Sequence, residues 1–140
     1  MATINELLQA TEEFFNFYWN PSHGSPPKWS EQWDFNSSIP NHDKRGCYAL
    51  VKGKEIIYIG VGIGKSSGNY YGSGLGDRLK RYWKLNKDSK KDKKYQPTKN
   101  WTEVTSLMTL GFKEEHYHLA AALEIFLINK ITPPRNSQHK

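Results

Sequence analysis

The sequence contains a single cysteine, Cys47, among its 140 residues. One thiol excludes an intrachain disulfide and a cluster of thiolate metal ligands formed by this chain alone. No run reaches the ~18 apolar residues of a membrane span. The N-terminal segment, with Glu6, Glu12 and Glu13, also lacks the basic start of a signal peptide. These absences predict a soluble, cytoplasmic protein with no membrane partner.

Apolar residues make up only 36% of the chain, but 14% of the chain is aromatic. Each aromatic side chain can bury a large apolar area, so the composition predicts a folded chain rather than a disordered one. A chain of this length fits one compact domain with its own core.

The basic residues are concentrated in one stretch. Residues 1–34 hold five acidic residues and one Lys, whereas residues 80–99 hold nine Lys or Arg and two Asp. A basic run beside aromatics suits a polyanion-binding surface, because each neutralised phosphate releases condensed counterions. The alternative is a solvated Lys-rich loop that only aids solubility. On the first interpretation the expected partner is nucleic acid, bound by Lys65, Lys80, Arg81, Lys84, Lys87, Lys90, Lys91, Lys93 and Lys94.

The N-terminal third divides into a helix and an arm. Thr3 and Glu6 have the spacing of a capping box, and apolar residues then recur at helical spacing, which predicts a helix over residues 4–18. Residues 19–45 are rich in Pro, Gly, Ser and Asn and include Trp29 and Trp33. Such aromatics more often anchor an arm to its own domain than stack on bases. We therefore predict that residues 1–45 are packed on a domain formed by residues 46–140.

The remaining chain alternates between strand and helix patterns. Residues 46–51 and 55–60 are β-branched and aromatic runs joined by a short turn, which predicts a β-hairpin. Helical spacing follows over residues 75–83, a strand pattern over 101–110, and helical spacing again over 114–131. The fold class predicted is a small α/β (α+β) domain, with a three-stranded antiparallel sheet flanked by helices.

A loop with six glycines, residues 61–76, connects the hairpin to the next helix. Backbone amides of such a loop can cradle a phosphate. Because the loop holds neither GxGxxG nor GxxxxGK[ST], a flexible flap facing the substrate is the favoured interpretation.

Two short motifs on the hairpin, together with three later positions, form a pattern. Gly46-Cys47-Tyr48 is followed after nine residues by Tyr58-Ile59-Gly60, and Arg78 with Tyr82 forms an i, i+4 pair. Glu124 stands on an apolar helix, twelve residues before Asn136. This order resembles the signature of the GIY-YIG nucleases over residues 46–136. Arg81 is the competing alignment for Arg78, and Lys65 is the one candidate for a Lys that some members carry after the second Tyr.

The residue types fit phosphodiester hydrolysis. Glu124 offers a hard oxygen ligand that suits a single Mg²⁺ (or Mn²⁺), and Arg78 is a permanent cation whose fork matches phosphate oxygens. The resemblance implies Tyr48 as general base, with the phenolate favoured by the metal and Arg78, and it implies Tyr58 and Tyr82 as groups that position water and phosphate. It also implies that Asn136 orients the active-site groups or braces the closing segment.

The predicted function is a metal-dependent endonuclease acting on nucleic acid, with DNA as the expected substrate. One alternative is a catalytically inactive nucleic-acid-binding module of the same fold. Another is an interaction protein that acts through its aromatic arm, residues 14–35. Specificity would come from the inserted loop, the arm, the Lys-rich loop or a homodimer, and restriction, repair, mobile-element and phage roles all stay open. His116 and His118 lack a third ligand and are interpreted as surface residues.

Overall fold

The structure is a computed structural model that describes residues 2–63, 74–79, 82–85 and 95–136. Its helices and strands, in chain order, are α1 (Ile4–Tyr18), β1 (Arg45–Lys52), β2 (Glu55–Gly62), α2 (Leu75–Leu79), β3 (Trp83–Leu85), β4 (Tyr95–Pro97), β5 (Ser106–Phe112) and α3 (His118–Ile131). The domain is α+β, as predicted. No helix in the described ranges is long and apolar enough to cross a membrane.

Helix α1 begins where the capping box predicted it. The Thr3 side chain accepts a hydrogen bond from the Glu6 N–H, and the Glu6 carboxylate accepts one from the Thr3 N–H. These two bonds satisfy donors that a helix start otherwise leaves unpaired. The apolar face that follows, including Leu7 and Phe14, is buried in the main core. The predicted helix over residues 4–18 is therefore confirmed.

The central sheet is antiparallel, with strands in the order β2-β1-β5. Because successive residues of a strand point to opposite faces, the central strand β1 supplies two cores. Cys47 and Ala49 belong to the core that contains α1 and α3. Tyr48 and Leu50 belong to a second core that contains α2, β3 and the arm. The site residues on β1 therefore face away from the two long helices.

Both edges of the sheet are covered by other parts of the chain. On β5, the Ser30 N–H donates to the Thr109 carbonyl at 2.7 Å, and Trp33 pairs with Leu107 through two backbone hydrogen bonds of 2.7 and 2.9 Å. On β2, the Arg135 N–H donates to the Ile57 carbonyl at 2.9 Å. Covered edges satisfy backbone groups that would otherwise be open to other chains. These bonds hold the arm residues Ser30 and Trp33 along the edge of β5.

The helix that was predicted to reach Trp83 ends earlier. Helix α2 spans Leu75–Leu79 in the described residues, Tyr82 lies in a turn, and Trp83 pairs with Pro97 in a separate two-stranded sheet, β3-β4. The Trp83 ring is buried 5.7 Å from the Trp33 ring, centroid to centroid. Tertiary packing of a Trp on the arm has overridden the local helical spacing, because propensity is a weak constraint beside burial.

Two further boundaries differ from the sequence pattern. The last strand begins at Ser106 rather than at Trp101, because residues 99–101 form a 3₁₀ turn and the Thr105 N–H donates to the Val51 carbonyl at 2.8 Å. The last helix begins at His118, after a 3₁₀ turn over residues 114–116. Helix and strand ends depend on such turns and are the least determined by periodicity.

Candidate active site

Tyr48 lies at the centre of β1, directly opposite Gly60 on β2. A Cβ atom at Gly60 would overlap the Cζ atom and hydroxyl oxygen of Tyr48 and approach its Cε1 atom to 2.8 Å. The Tyr48 ring therefore occupies the space that a side chain at Gly60 would need. This contact gives a physical reason for a glycine in the second hairpin motif.

Three tyrosines converge on this face of the sheet. The Tyr48 and Tyr82 hydroxyl oxygens are 2.5 Å apart and share a hydrogen bond. Ring centroids are separated by 5.4 Å for Tyr48–Tyr82, 6.3 Å for Tyr48–Tyr58 and 6.4 Å for Tyr58–Tyr82. Tyr48 is fully buried, whereas Tyr58 is partly exposed. Residues that are 34 positions apart in sequence thus form one cluster.

Arg78, in the last turn of α2, places its guanidinium within hydrogen-bonding reach of the Tyr48 hydroxyl. That contact raises the pKa of Arg78, so the side chain stays cationic. Within the described ranges, its buried Nε–H has no hydrogen-bond partner. Buried polar groups are almost always paired, so an unpaired cationic donor beside a hydroxyl cluster fits an anionic ligand.

Glu124 is half-buried on α3. Burial raises the pKa of its carboxyl, and the nearby charge of Arg78 opposes that shift. The same carboxylate raises the pKa of Tyr58, after the larger effect of burial on that hydroxyl. Glu124 therefore lies within electrostatic reach of Arg78 and Tyr58, although the helix that carries it packs on the other face of the sheet.

Burial is the main influence on the Tyr48 hydroxyl. It raises the pKa of Tyr48 well above the ordinary range, Tyr82 raises the pKa further, and Arg78 lowers it. The hydrogen bond from Arg78 acts in the direction expected from the sequence, because it favours the phenolate, but it opposes the larger effect of burial. In the protein by itself, burial and Tyr82 therefore favour the protonated form of Tyr48.

Asn136 acts on the backbone of β2. Its Oδ1 accepts from the Ile59 N–H at 2.8 Å, and its Nδ2–H donates to the Ile59 carbonyl at 2.9 Å. Ile59 lies between Tyr58 and Gly60 in the motif Tyr58-Ile59-Gly60. The buried Asn136 amide therefore binds this motif at the edge of β2 that does not pair with β1. Of the two roles inferred from the resemblance, this geometry favours bracing the closing segment.

The candidate metal ligand, Glu124, suits an ion that keeps most of its bound water. The described ranges contain no group of three or more His, Cys, Asp or Glu side chains that could hold a metal. Mg²⁺ usually keeps several waters and binds through one or two carboxylates together with substrate phosphates. Glu124, a single carboxylate within electrostatic reach of Arg78 and Tyr58, suits that arrangement and does not suit an all-protein cage. His116 instead contacts the rings of Trp19 and His23, and His118 is exposed.

The side chains of all nine predicted nucleic-acid-binding residues lie outside the described part of the structure. Lys84 lies in β3, and its side chain falls outside the described part of the structure. The others that fall outside the described residues are Lys65, Lys80, Arg81, Lys87, Lys90, Lys91, Lys93 and Lys94.

Two residues without a sequence signal form one wall of the cluster. The Trp101 ring packs edge-on against Tyr58 and Tyr82, at centroid distances of 5.5 and 4.9 Å. The Arg135 guanidinium lies 3.6 Å from the centre of the Trp101 ring and donates to Glu103 at 2.8 Å. No motif or spacing marks either residue, because the contact depends on how the closing segment crosses the end of the sheet.

Comparisons with known proteins give no relative for this chain. No protein-family model matches it, and searches of curated proteins and of solved structures find no significant match. Any assignment of function therefore depends on the site residues themselves.

Proposed function

We propose that this protein is a divalent-metal-dependent endonuclease of the GIY-YIG type that hydrolyses phosphodiester bonds in nucleic acid, with DNA as the expected substrate. The observation that carries the proposal is the buried Nε–H of Arg78, which has no partner among the described residues and lies beside the Tyr48 hydroxyl, within electrostatic reach of Glu124. Phosphodiester hydrolysis requires a cation that stabilises charge on the phosphate, a carboxylate that can hold a metal, and a group that activates water, and these residues supply those chemical types.

Each side chain has a defined part in this proposal. Arg78 binds non-bridging phosphate oxygens through its guanidinium and stabilises charge that develops on them. Glu124 holds the divalent ion, which when bound polarises the phosphate and lowers the pKa of water. Tyr58, which is partly exposed, orients the attacking water, and Trp101 fixes the Tyr58 ring.

The role of Tyr48 is the most demanding part of the mechanism. As a general base, Tyr48 must lose its proton, and burial opposes that loss. The base role therefore requires positive charge beyond that of Arg78. Tyr82, whose hydroxyl oxygen lies 2.5 Å from that of Tyr48, raises the pKa of Tyr48 further, so that charge must offset both burial and Tyr82.

One observation favours a second candidate, a nucleic-acid-binding module of the same fold without turnover. Tyr48 is fully buried and its pKa is raised, which is also what a purely structural core tyrosine would show. The two candidates share the phosphate-binding role of Arg78 and differ in whether Glu124 and Tyr48 take part in bond cleavage.

Cleavage of plasmid, single-stranded and branched DNA, with Mg²⁺ or Mn²⁺, tests the proposal. Glu124→Gln preserves size and hydrogen bonding but removes the charge, and we expect it to abolish cleavage while the protein stays folded. Glu12→Gln, at an exposed position on α1, is the matched control and should cut like the wild type. Full activity of Glu124→Gln, or undiminished wild-type activity in excess EDTA, would contradict the assignment. No wild-type cleavage under any of these conditions would favour the binding module.

A further inference from the structure

A cavity of about 240 Å³ lies at the end of the sheet where β1 begins and β5 ends. The arm contributes His23 and Lys28, the approach to β1 contributes Lys44, and the segment after β5 contributes Lys113 and His116. Five basic side chains from separate segments therefore line one cavity. None of its lining residues is Asp or Glu.

The cavity is formed by specific contacts. The rings of His23 and His116 are 4.6 Å apart, and Trp19 packs edge-on against His116 at 4.9 Å. Gly111 makes room for the Lys44 stem, because a Cβ atom there would lie 2.8 Å from Lys44 Cδ. Placing several like charges together is unfavourable without an anion, since each ammonium raises the energy of its neighbours.

The cavity adjoins the element that carries Arg78. The Lys44 carbonyl accepts a hydrogen bond from the Leu75 N–H, the first residue of α2, at 2.9 Å, and Arg78 is in the last turn of that helix. A nucleic-acid strand with one phosphate at Arg78 could therefore continue along α2 and bring another phosphate to the cavity. Lys ammonium groups bind phosphate as point charges, and imidazole N–H groups add donors.

We propose that this cavity is a second phosphate-binding subsite, which holds a backbone phosphate of the nucleic-acid strand away from the scissile bond. This inference rests on the proposed function, because it takes the strand to be the ligand of the Arg78 site. The subsite adds affinity and fixes the path of the strand, but it contacts no reacting atom.

Binding of labelled duplex DNA to the full chain in EDTA, measured by anisotropy over a range of salt concentrations, tests the subsite without cleavage. The test variant is Lys28→Gln with Lys113→Gln. The matched control is Lys52→Gln with Lys54→Gln, at exposed positions at the opposite end of the sheet. Each phosphate that is no longer neutralised lowers the steepness of log K against log salt by about 0.9, so loss of this one phosphate contact should cost the test variant about 0.9 and the control nothing.

The outcomes separate the subsite from the proposed nuclease. A test variant with the wild-type salt slope, or a control that loses as much slope, overturns the subsite even if the wild-type protein cuts DNA with Mg²⁺. A wild-type protein that binds neither duplex nor single strand overturns both proposals. Calorimetry with inorganic phosphate is the second arm. Phosphate binding that the test variant loses while its DNA salt slope is unchanged identifies a site for a free anion, and it overturns the assignment to a strand.

Discussion

The contact between Gly60 and the Tyr48 ring can be tested by adding one methyl group. In Gly60→Ala, the new Cβ atom would overlap the Tyr48 Cζ atom and hydroxyl oxygen. The ring cannot move freely, because Tyr48 is fully buried and its hydroxyl is bonded to Tyr82. Either the ring or strand β2 must therefore shift, and the Tyr48–Tyr82 hydrogen bond is the first interaction at risk.

The expected destabilisation follows from two opposing effects. Overpacking a filled core costs typically about 1–3 kcal/mol, and a buried hydroxyl that loses its partner costs a further ~1–3 kcal/mol. Replacing Gly by Ala within a strand by itself stabilises the fold by roughly 0.5–1 kcal/mol, because the unfolded chain loses freedom. The overlap and the lost hydrogen bond together are larger, so we expect Gly60→Ala to lower the free energy of unfolding by about 1–5 kcal/mol.

Urea unfolding measures the change, with the slope m checked for constancy so that a shift in midpoint reports stability. The same Gly60→Ala substitution is then made in two backgrounds. Tyr48→Phe keeps the ring, so the penalty should persist there. Tyr48→Ala removes the ring, so the penalty should vanish or change sign. Equal penalties in the two backgrounds would refute the argument that the ring excludes a side chain at Gly60.

Three further predictions concern other parts of the site. Tyr48→Phe should cut DNA at least about a hundredfold more slowly, since general-base catalysis is typically worth 10²–10⁴-fold in rate. Its affinity for DNA should stay near that of the wild type. A rate reduction of only a few fold would make Tyr48 a positioning residue. Asn136→Ala leaves the Ile59 N–H and carbonyl without their partner, and urea unfolding should show a loss of about 1–3 kcal/mol; an unchanged midpoint would exclude the bracing role. Neutralising the Lys-rich loop should lower the steepness of log K for DNA binding against log salt by about 0.9 for each phosphate that the loop neutralises in the wild type. An unchanged slope would mean that the loop only aids solubility. The loop variant replaces Lys87, Lys90, Lys91, Lys93 and Lys94.

The sequence alone determined the elements whose signals are local. The capping box and helical spacing predicted α1 to the residue, and paired β-branched runs predicted the β1-β2 hairpin within two residues at each end. The resemblance to a known signature grouped Tyr48, Tyr58, Arg78 and Tyr82 as one set, and these side chains lie close together in the structure. Periodicity and caps act between near neighbours, so they can be read without knowing the rest of the chain.

Tertiary structure decided what depends on residues distant in sequence. Trp83 joined a strand because a buried position beside Trp33, 50 residues earlier, outweighed its helical spacing. Asn136 became a brace because the closing segment follows the edge of β2, which no spacing specifies. Tertiary packing likewise decided three other features. They are the burial of the Tyr48 hydroxyl, the need for glycine at Gly60 and the convergence of basic side chains on one cavity. Each depends on how closely side chains from different helices and strands approach one another. Those distances are set only when the two cores pack on opposite faces of the sheet.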